Sequence, residues 1–165
     1  MKLDQKYKAL LCEAQKRNLP DIEGIQLCFK TLSLASNIDR DCASQLAIHD
    51  LSEGRFVLLF LLDAAEVGVA PKILAEQAGI TRATVTGLLD GLERDGLVER
   101  HANIEDRRAL TIQLTSKGKL IAKKVFDQHS RWIANLFGNL SLQERNQLST
   151  LLEKVSINLT NKESL

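Results

Sequence analysis

Hydrophobic positions recur at helical spacing along most of the chain. They predict an amphipathic helix over residues 3–17, a break at the polar turn 18–21, and a long helix over residues 22–47. Ser52 then lies where it can cap another helix, whose residues 57–62 are apolar on nearly every side. This pattern predicts a mainly helical protein with one helix buried in its core.

Two shorter helices around a glycine follow the buried helix. Ala75, Gly79 and Val85 have the spacing of a helix-turn-helix, which needs a small residue where the helices cross, a residue that tolerates left-handed dihedral angles at the turn, and a branched apolar anchor in the second helix. Thr81 is a predicted cap for this second helix, which we expect over residues 82–95.

Residues 97–100 and 109–114 are predicted strands, since Leu110, Ile112 and Leu114 alternate with Thr111 and Gln113. The polar loop between them carries Asp106, Arg107 and Arg108. A helix-turn-helix followed by such a hairpin is a winged helix-turn-helix, which lays one helix in the DNA major groove. We expect Asp106 to orient Arg108 toward the narrow minor groove, and the competing interpretation is a surface salt bridge without function.

The second helix of this motif has a polar face near its N-terminal end. If its apolar stripe is buried, the residues left outward are Thr81, Arg82, Thr84 and Thr86. Arginine can bond a guanine through two N–H groups, and threonine can contact a phosphate or a thymine methyl group. The alternative interpretation is an ordinary solvated helix face.

Two helices are predicted after the hairpin. Thr115 caps a long one that extends to about Phe137, and Ser141 with Glu144 forms a capping box for the last. The last helix carries an apolar stripe made of Leu148, Leu151, Leu152, Val155 and Leu159. Because the helices at both termini carry stripes that need a partner, we predict a twofold homodimer, although stripes that pack within one subunit are the alternative.

Composition and charge agree with a globular nucleic-acid binder. The 165 residues are 44% hydrophobic and 26% charged, and no apolar run is long enough to cross a bilayer. We therefore expect a cytoplasmic protein without membrane contact. The net charge is only +1, but the basic surplus lies in residues 71–124 whereas residues 21–70 are acidic. Phosphate contacts are therefore expected around the predicted wing.

The motifs occur in an order that is similar to the MarR family of bacterial winged helix-turn-helix transcriptional regulators. The similarity is carried by residues 74–86, 92–100, 105–108 and 114–118, and it extends over residues 21–160. It implies a homodimer that binds a palindromic operator in double-stranded DNA, usually as a repressor. It also implies release of the operator when a small aromatic or anionic molecule, or an oxidant, alters the dimer.

The resemblance further implies how the chain is organised. We expect one domain over residues 1–165, mainly α with a small β wing. Its dimerisation helices would lie in residues 1–50 and 119–165, around a winged helix-turn-helix over residues 51–118. Carried onto matching positions, the DNA contacts would be Thr81, Arg82, Thr84 and Thr86 in the groove helix, with Asp106 and Arg108 at the wing and Arg107 beside them.

Enzyme functions have little support in the sequence. It contains no phosphate-binding glycine loop, no Gly-x-Ser-x-Gly elbow and no His-Glu-x-x-His motif. Its three histidines and three cysteines share no metal-ligand spacing, so neither a metal nor a cofactor is expected. The alternative from another class is a winged-helix protein-interaction module that does not bind DNA.

The regulatory signal has two candidate sites. Arg55 could pair with an anionic effector and His49 could donate a hydrogen bond to it, although a surface ion pair and a loop histidine are the simpler interpretations. An oxidant could instead act on Cys28, because residues 26–29 resemble the peroxide-sensing branch of the family. That branch activates its thiol with tyrosines, and this chain has only Tyr7. We therefore expect Cys28 to be a buried apolar residue.

Overall fold

The computed structural model describes residues 2–65, 67–102 and 110–160. In chain order, the elements within these ranges are α1 (Gln5–Lys16), α2 (Ile22–Ala47), α3 (Glu53–Ala65), α4 (Pro71–Ala78), α5 (Arg82–Arg94), β1 (Val98–Ala102), β2 (Leu110–Leu114), α6 (Ser116–Leu136) and α7 (Leu142–Thr160). The predicted mainly helical chain with a small antiparallel hairpin is confirmed. The chain divides into two compact units, one ending at Val125 and the other beginning at Phe126.

Side-chain caps begin the helices where the sequence predicted them. The Thr81 hydroxyl accepts a hydrogen bond of 3.2 Å from the Thr84 N–H at the start of α5. At the start of α7, the Ser141 N–H donates to the Glu144 carboxylate over 2.8 Å, and the Glu144 N–H donates back to the Ser141 hydroxyl over 3.3 Å. The hydrogen bonds from Ser141 hold the pKa of Glu144 below its usual value.

Glycines end both helices of the helix-turn-helix. Gly79 after α4 and Gly96 after α5 adopt left-handed φ angles of 65° and 68°, which cost glycine little because it has no Cβ. Beyond Gly96 the Leu97 N–H donates to the Leu92 carbonyl over 2.9 Å, as expected where a left-handed residue closes a helix. These two positions allow the sharp turns that bring α4, α5 and the hairpin together.

The core of the N-terminal unit lies between α3, α4, α5 and the hairpin. Ala75 and Val85 are 5% and 0% exposed, in agreement with their predicted places at the helix crossing. Val98 lies opposite Leu114 in the antiparallel register of β1 and β2. Apolar side chains of all these elements meet in one cluster that includes Leu58, Leu59, Leu62, Leu74, Leu89, Leu92 and Ile112.

Helix α3 is buried along one face only. Phe56 and Leu59 lie in the core, whereas Phe60 keeps 38% of its surface exposed. The expectation of burial on nearly every side was therefore too strong. A run of apolar residues cannot show which face of a helix meets neighbours, because that depends on the packing of other elements.

The C-terminal unit leaves an apolar surface uncovered in the single chain. On α7, Leu148 is half-buried, whereas Leu151, Leu152, Val155 and Leu159 are at least 51% exposed. A groove of about 410 Å³ within this unit is lined by side chains that include Ile133, Phe137, Leu148 and Leu152. The stripe predicted for the last helix is thus present and faces solvent along most of its length.

The first turn of α6 packs directly on the backbone before β1. Thr115 caps this turn by accepting the Gly118 N–H at 3.0 Å. A Cβ placed on Gly118 would lie 1.9 Å from the Leu97 carbonyl oxygen. No side chain fits at this position unless the helix moves.

Replacement of Gly118 by alanine should lower the free energy of unfolding by about 2 kcal/mol or more, because α6 must move away from Leu97. The matched control is Gly87→Ala within α5, where a Cβ meets nothing within 4 Å. That change should raise the free energy of unfolding by up to about 1 kcal/mol through helix propensity. Urea denaturation measures both, and equal values for the two variants would contradict the packing described.

Candidate nucleic-acid interface

One buried face orients α5. Val85, Leu89 and Leu92 are at most 1% exposed, so the opposite side of the helix faces solvent. The predicted contacts Thr81, Arg82, Thr84 and Thr86 are all exposed, and the structure brings them together at the N-terminal end of α5. Backbone N–H groups at a helix start also favour anions.

Internal hydrogen bonds occupy the threonine hydroxyls on this face. Thr81 Oγ1 and Thr84 Oγ1 lie 2.8 Å apart in a shared hydrogen bond, and the Thr86 hydroxyl donates to the Arg82 carbonyl over 3.0 Å. The Arg82 guanidinium makes no ion pair with any described residue. Arg82 is therefore the side chain of this group whose N–H donors are available to an outside partner.

Two small residues that the sequence analysis did not select also shape this face. Ala83 and Gly87 are exposed and four positions apart, so they lie on the same side of α5. A Cβ on Gly87 would project into open space. Small residues allow a helix backbone to approach another surface closely, and their helical spacing among the threonines was the signal that could have identified them.

The base of the hairpin is attached to the other half of α5. Arg100 on β1 forms an ion pair with Asp90 and a second one, 3.5 Å long, with Glu93. The hydrogen bond that Arg100 donates to the Asp90 carboxylate raises the pKa of the Arg100 guanidinium, which therefore stays charged. The wing strand and α5 are thus linked by charge as well as through the core.

Arg55 forms a second attachment, at the C-terminal end of α5. Its Nη2 donates to the Asp95 carboxylate and its Nη1 donates to the Asp50 carbonyl over 3.0 Å. The hydrogen bond and charge of Arg55 hold the pKa of Asp95 below its usual value. The structure thus contains the ion pair that was the alternative to effector binding. His49 is half-buried in the turn after α2, and an effector role for it and Arg55 stays a prediction.

The wing residues Asp106, Arg107 and Arg108 lie outside the described residues, so their DNA contacts and the pairing of Asp106 with Arg108 stay predictions. The described strands end with Ala102 opposite Leu110.

The cysteines differ in their surroundings. Cys28 is exposed on α2 rather than buried as expected, and it lines a groove of about 570 Å³ with Leu10, Ile25 and Phe29. Burial and the nearby acidic groups raise the pKa of the Cys42 thiol, which disfavours the reactive thiolate. Within the part of the chain that the structure describes, no group of three or more His, Cys, Asp and Glu side chains is placed to hold a metal ion.

This fold and this exposed helix end define a winged helix-turn-helix DNA-binding protein. The MarR family model matches residues 51–110. The HTH-type transcriptional repressor YetL of Bacillus subtilis (strain 168) is 32% identical over 92% of this chain and 94% of that protein. The chain therefore belongs to the MarR family and is a transcriptional regulator.

Solved structures share this fold. Streptococcus pneumoniae FabT in complex with DNA has a TM-score of 0.68 at 24% identity, over 82% of this chain and 96% of that one. Wild-type MarR from E. coli in its apo form has a TM-score of 0.61 at 26% identity, over 73% of this chain and 90% of that one.

Over the described residues, no helix has the length and apolar character needed to cross a membrane.

Replacement of Arg55 by glutamine should raise the pKa of Asp95, because it removes a donor and a positive charge from that carboxylate. Folding lowers this pKa, so the stabilisation from the pair is present at neutral pH and is lost as the pH falls through the folded-state pKa. Carboxyl ¹³C NMR titration measures the shift. The control is Arg17→Gln, which breaks an exposed ion pair on α1 and should leave Asp95 unchanged. An unaltered Asp95 pKa in Arg55→Gln would contradict the ion pair.

Proposed function

We propose that the protein is a dimeric repressor that binds a palindromic operator through α5 and releases it when a small aromatic or anionic effector binds. The observation that carries this proposal is the exposed N-terminal end of α5, a helix whose other face is buried in the core. There Arg82 lies among short polar side chains and makes no ion pair with any described residue. A helix of this kind can enter the major groove and contact base edges.

The comparisons support this proposal. YetL is described as a transcriptional repressor, and FabT was solved in complex with DNA. We propose the same activity and the same kind of partner here. Arg82 would bond a guanine, the threonines would contact phosphates or methyl groups, and Arg107 and Arg108 at the wing would lie along the minor groove with Asp106 orienting Arg108.

The homodimer is supported by the uncovered apolar surface. Four of the five residues of the α7 stripe, all but Leu148, are at least 51% exposed in the single chain, and Leu10 on α1 and Leu27 on α2 are 54% and 62% exposed. Burial of such side chains contributes about 25 cal/mol per Å². A twofold dimer would cover them and place two α5 helices on successive half-sites of one operator. In this arrangement the whole chain acts as one domain with dimerisation helices at both ends.

Oxidation of Cys28 is a second candidate for the releasing signal. The Tyr7 ring stacks on the Phe29 ring with 5.0 Å between centroids, so the single tyrosine lies beside the residue that follows Cys28. Cys28 is also exposed. Peroxide treatment should then release the operator from the protein but not from Cys28→Ser, whereas equal release or equal retention by both would exclude this signal.

Replacement of Arg82 by alanine should weaken operator binding by about 1 to 3 kcal/mol and relax the preference at one base pair, if Arg82 contacts a guanine. Fluorescence anisotropy on a duplex selected from randomised DNA measures this. Arg17→Ala, which removes an exposed arginine from α1, is the control and should have little effect. Equal losses on the selected and on a random duplex would show that Arg82 contacts only phosphate.

Light scattering should give a mass of twice 18.4 kDa at micromolar concentration. Leu152→Glu, in the centre of the α7 stripe, should shift the protein toward the monomer because it places a charge in the apolar interface. Thr150→Glu introduces the same residue on the opposite side of α7 and should remain dimeric. A monomeric mass for the fully helical wild-type protein would contradict both the dimer and the palindromic operator.

A further inference from the structure

The Arg55 guanidinium joins two helix ends that are distant in sequence. One of its partners is the Asp50 carbonyl oxygen, 3.0 Å from Nη1, and the other is the Asp95 carboxylate. Only 19% of the Arg55 side chain is exposed, against 44% of the Asp95 side chain, so the pair is shielded from water on the arginine side. Such shielding strengthens a charge-assisted hydrogen bond relative to one on an open surface.

Both partners belong to the turns that close helices. Asp50 lies after α2 with a left-handed φ of 56°, and the following N–H, that of Leu51, donates to the Leu46 carbonyl over 3.2 Å. Asp95 is the C-cap of α5. Arg55 therefore ties the end of the long helix α2 to the end of the helix that carries Arg82.

Two glycines let α3 and α5 approach each other at this contact. A Cβ on Gly91 of α5 would lie 3.7 Å from Arg55 Nε, so a side chain longer than a methyl group would displace the guanidinium. A Cβ on Gly54 would lie 3.0 Å from a methyl carbon of Leu88. Helices α3 and α5 are thus in close approach at Gly54 and at Gly91.

The position of this attachment matters because a tilt of α5 at one end displaces the residues at its other end. The apolar face of α5 fixes which side is buried, but apolar contacts have no strong directional preference. At 1.5 Å per residue, α5 is about 20 Å long, and Arg82 lies at the opposite end from Asp95. A small change of tilt at Asp95 therefore displaces Arg82, whose bonds to a base would tolerate little misplacement.

We propose that Arg55 is a positioning residue for operator recognition, which holds the C-terminal end of α5 against the turn after α2 so that Arg82 meets its base. This inference rests on the proposed function. The pair acts on the geometry of α5 and makes no contact with DNA itself.

The sharpest test is Asp95→Ala, which removes the oxygens that accept from Arg55. This change removes a negative charge from a DNA-binding protein, so electrostatics alone predicts tighter binding to every duplex. The positioning role predicts instead that affinity for the selected operator falls about threefold to tenfold, while affinity for a random duplex is unchanged or higher. Arg55→Gln should show the same loss of preference, and the double variant should be little worse than Arg55→Gln alone. Fluorescence anisotropy at one salt concentration measures all of them.

Two further variants separate positioning from folding. Arg55→Lys keeps the charge but loses the fork that serves both partners, so it should restore part of the preference lost in Arg55→Gln, and it decides the case if Arg55→Gln fails to fold. Arg17→Gln breaks the exposed ion pair with Glu13 and should change neither affinity. Denaturation midpoints show whether the variants compared are equally folded.

Three outcomes would overturn the inference. Operator binding by Asp95→Ala as tight as in the wild type, or tighter, removes the positioning role. Equal losses by Arg55→Gln on both duplexes mean that Arg55 only adds positive charge. If the wild-type protein itself does not prefer the operator to a random duplex, the proposed function fails first and the positioning role fails with it.

Discussion

Burial of one face of α5 is the constraint on which the rest of the structure depends. Val85, Leu89 and Leu92 enter the core with side chains of α3, α4 and the hairpin. Because α5 can expose only the side that remains, Arg82 and the threonines face outward together. The exposed polar face of α5 is therefore a consequence of core packing.

Ion pairs restrict the orientation of α5 further than core packing alone does. Arg100 joins the wing strand to Asp90 and Glu93, and Arg55 joins the turn after α2 to Asp95. All the partners lie in the C-terminal half of α5 or at its end, and Lys117 adds a hydrogen bond to the Asp95 carbonyl. The helix is thus anchored where it would not meet DNA, and its N-terminal end is left accessible.

The two compact units differ in how much of their own apolar surface they bury. The unit that ends at Val125 has a contiguous core, whereas α7 in the other unit leaves most of its stripe exposed. A stripe of this kind is well explained by a second copy of the chain, as in the dimer proposed above.

The sequence was enough to predict the element order, most helix ends and the exposed polar face of α5. Caps such as Thr81 and the Ser141–Glu144 pair act within a few residues, and the helical period places Val85 inward and Arg82 outward. Only the tertiary structure decided that Arg55 is bound to Asp95, that Cys28 is exposed and that Gly118 lies against Leu97. These contacts join residues far apart in sequence, or depend on which neighbours cover a side chain. Local patterns carry no information about such distances, because the packing of whole elements sets them.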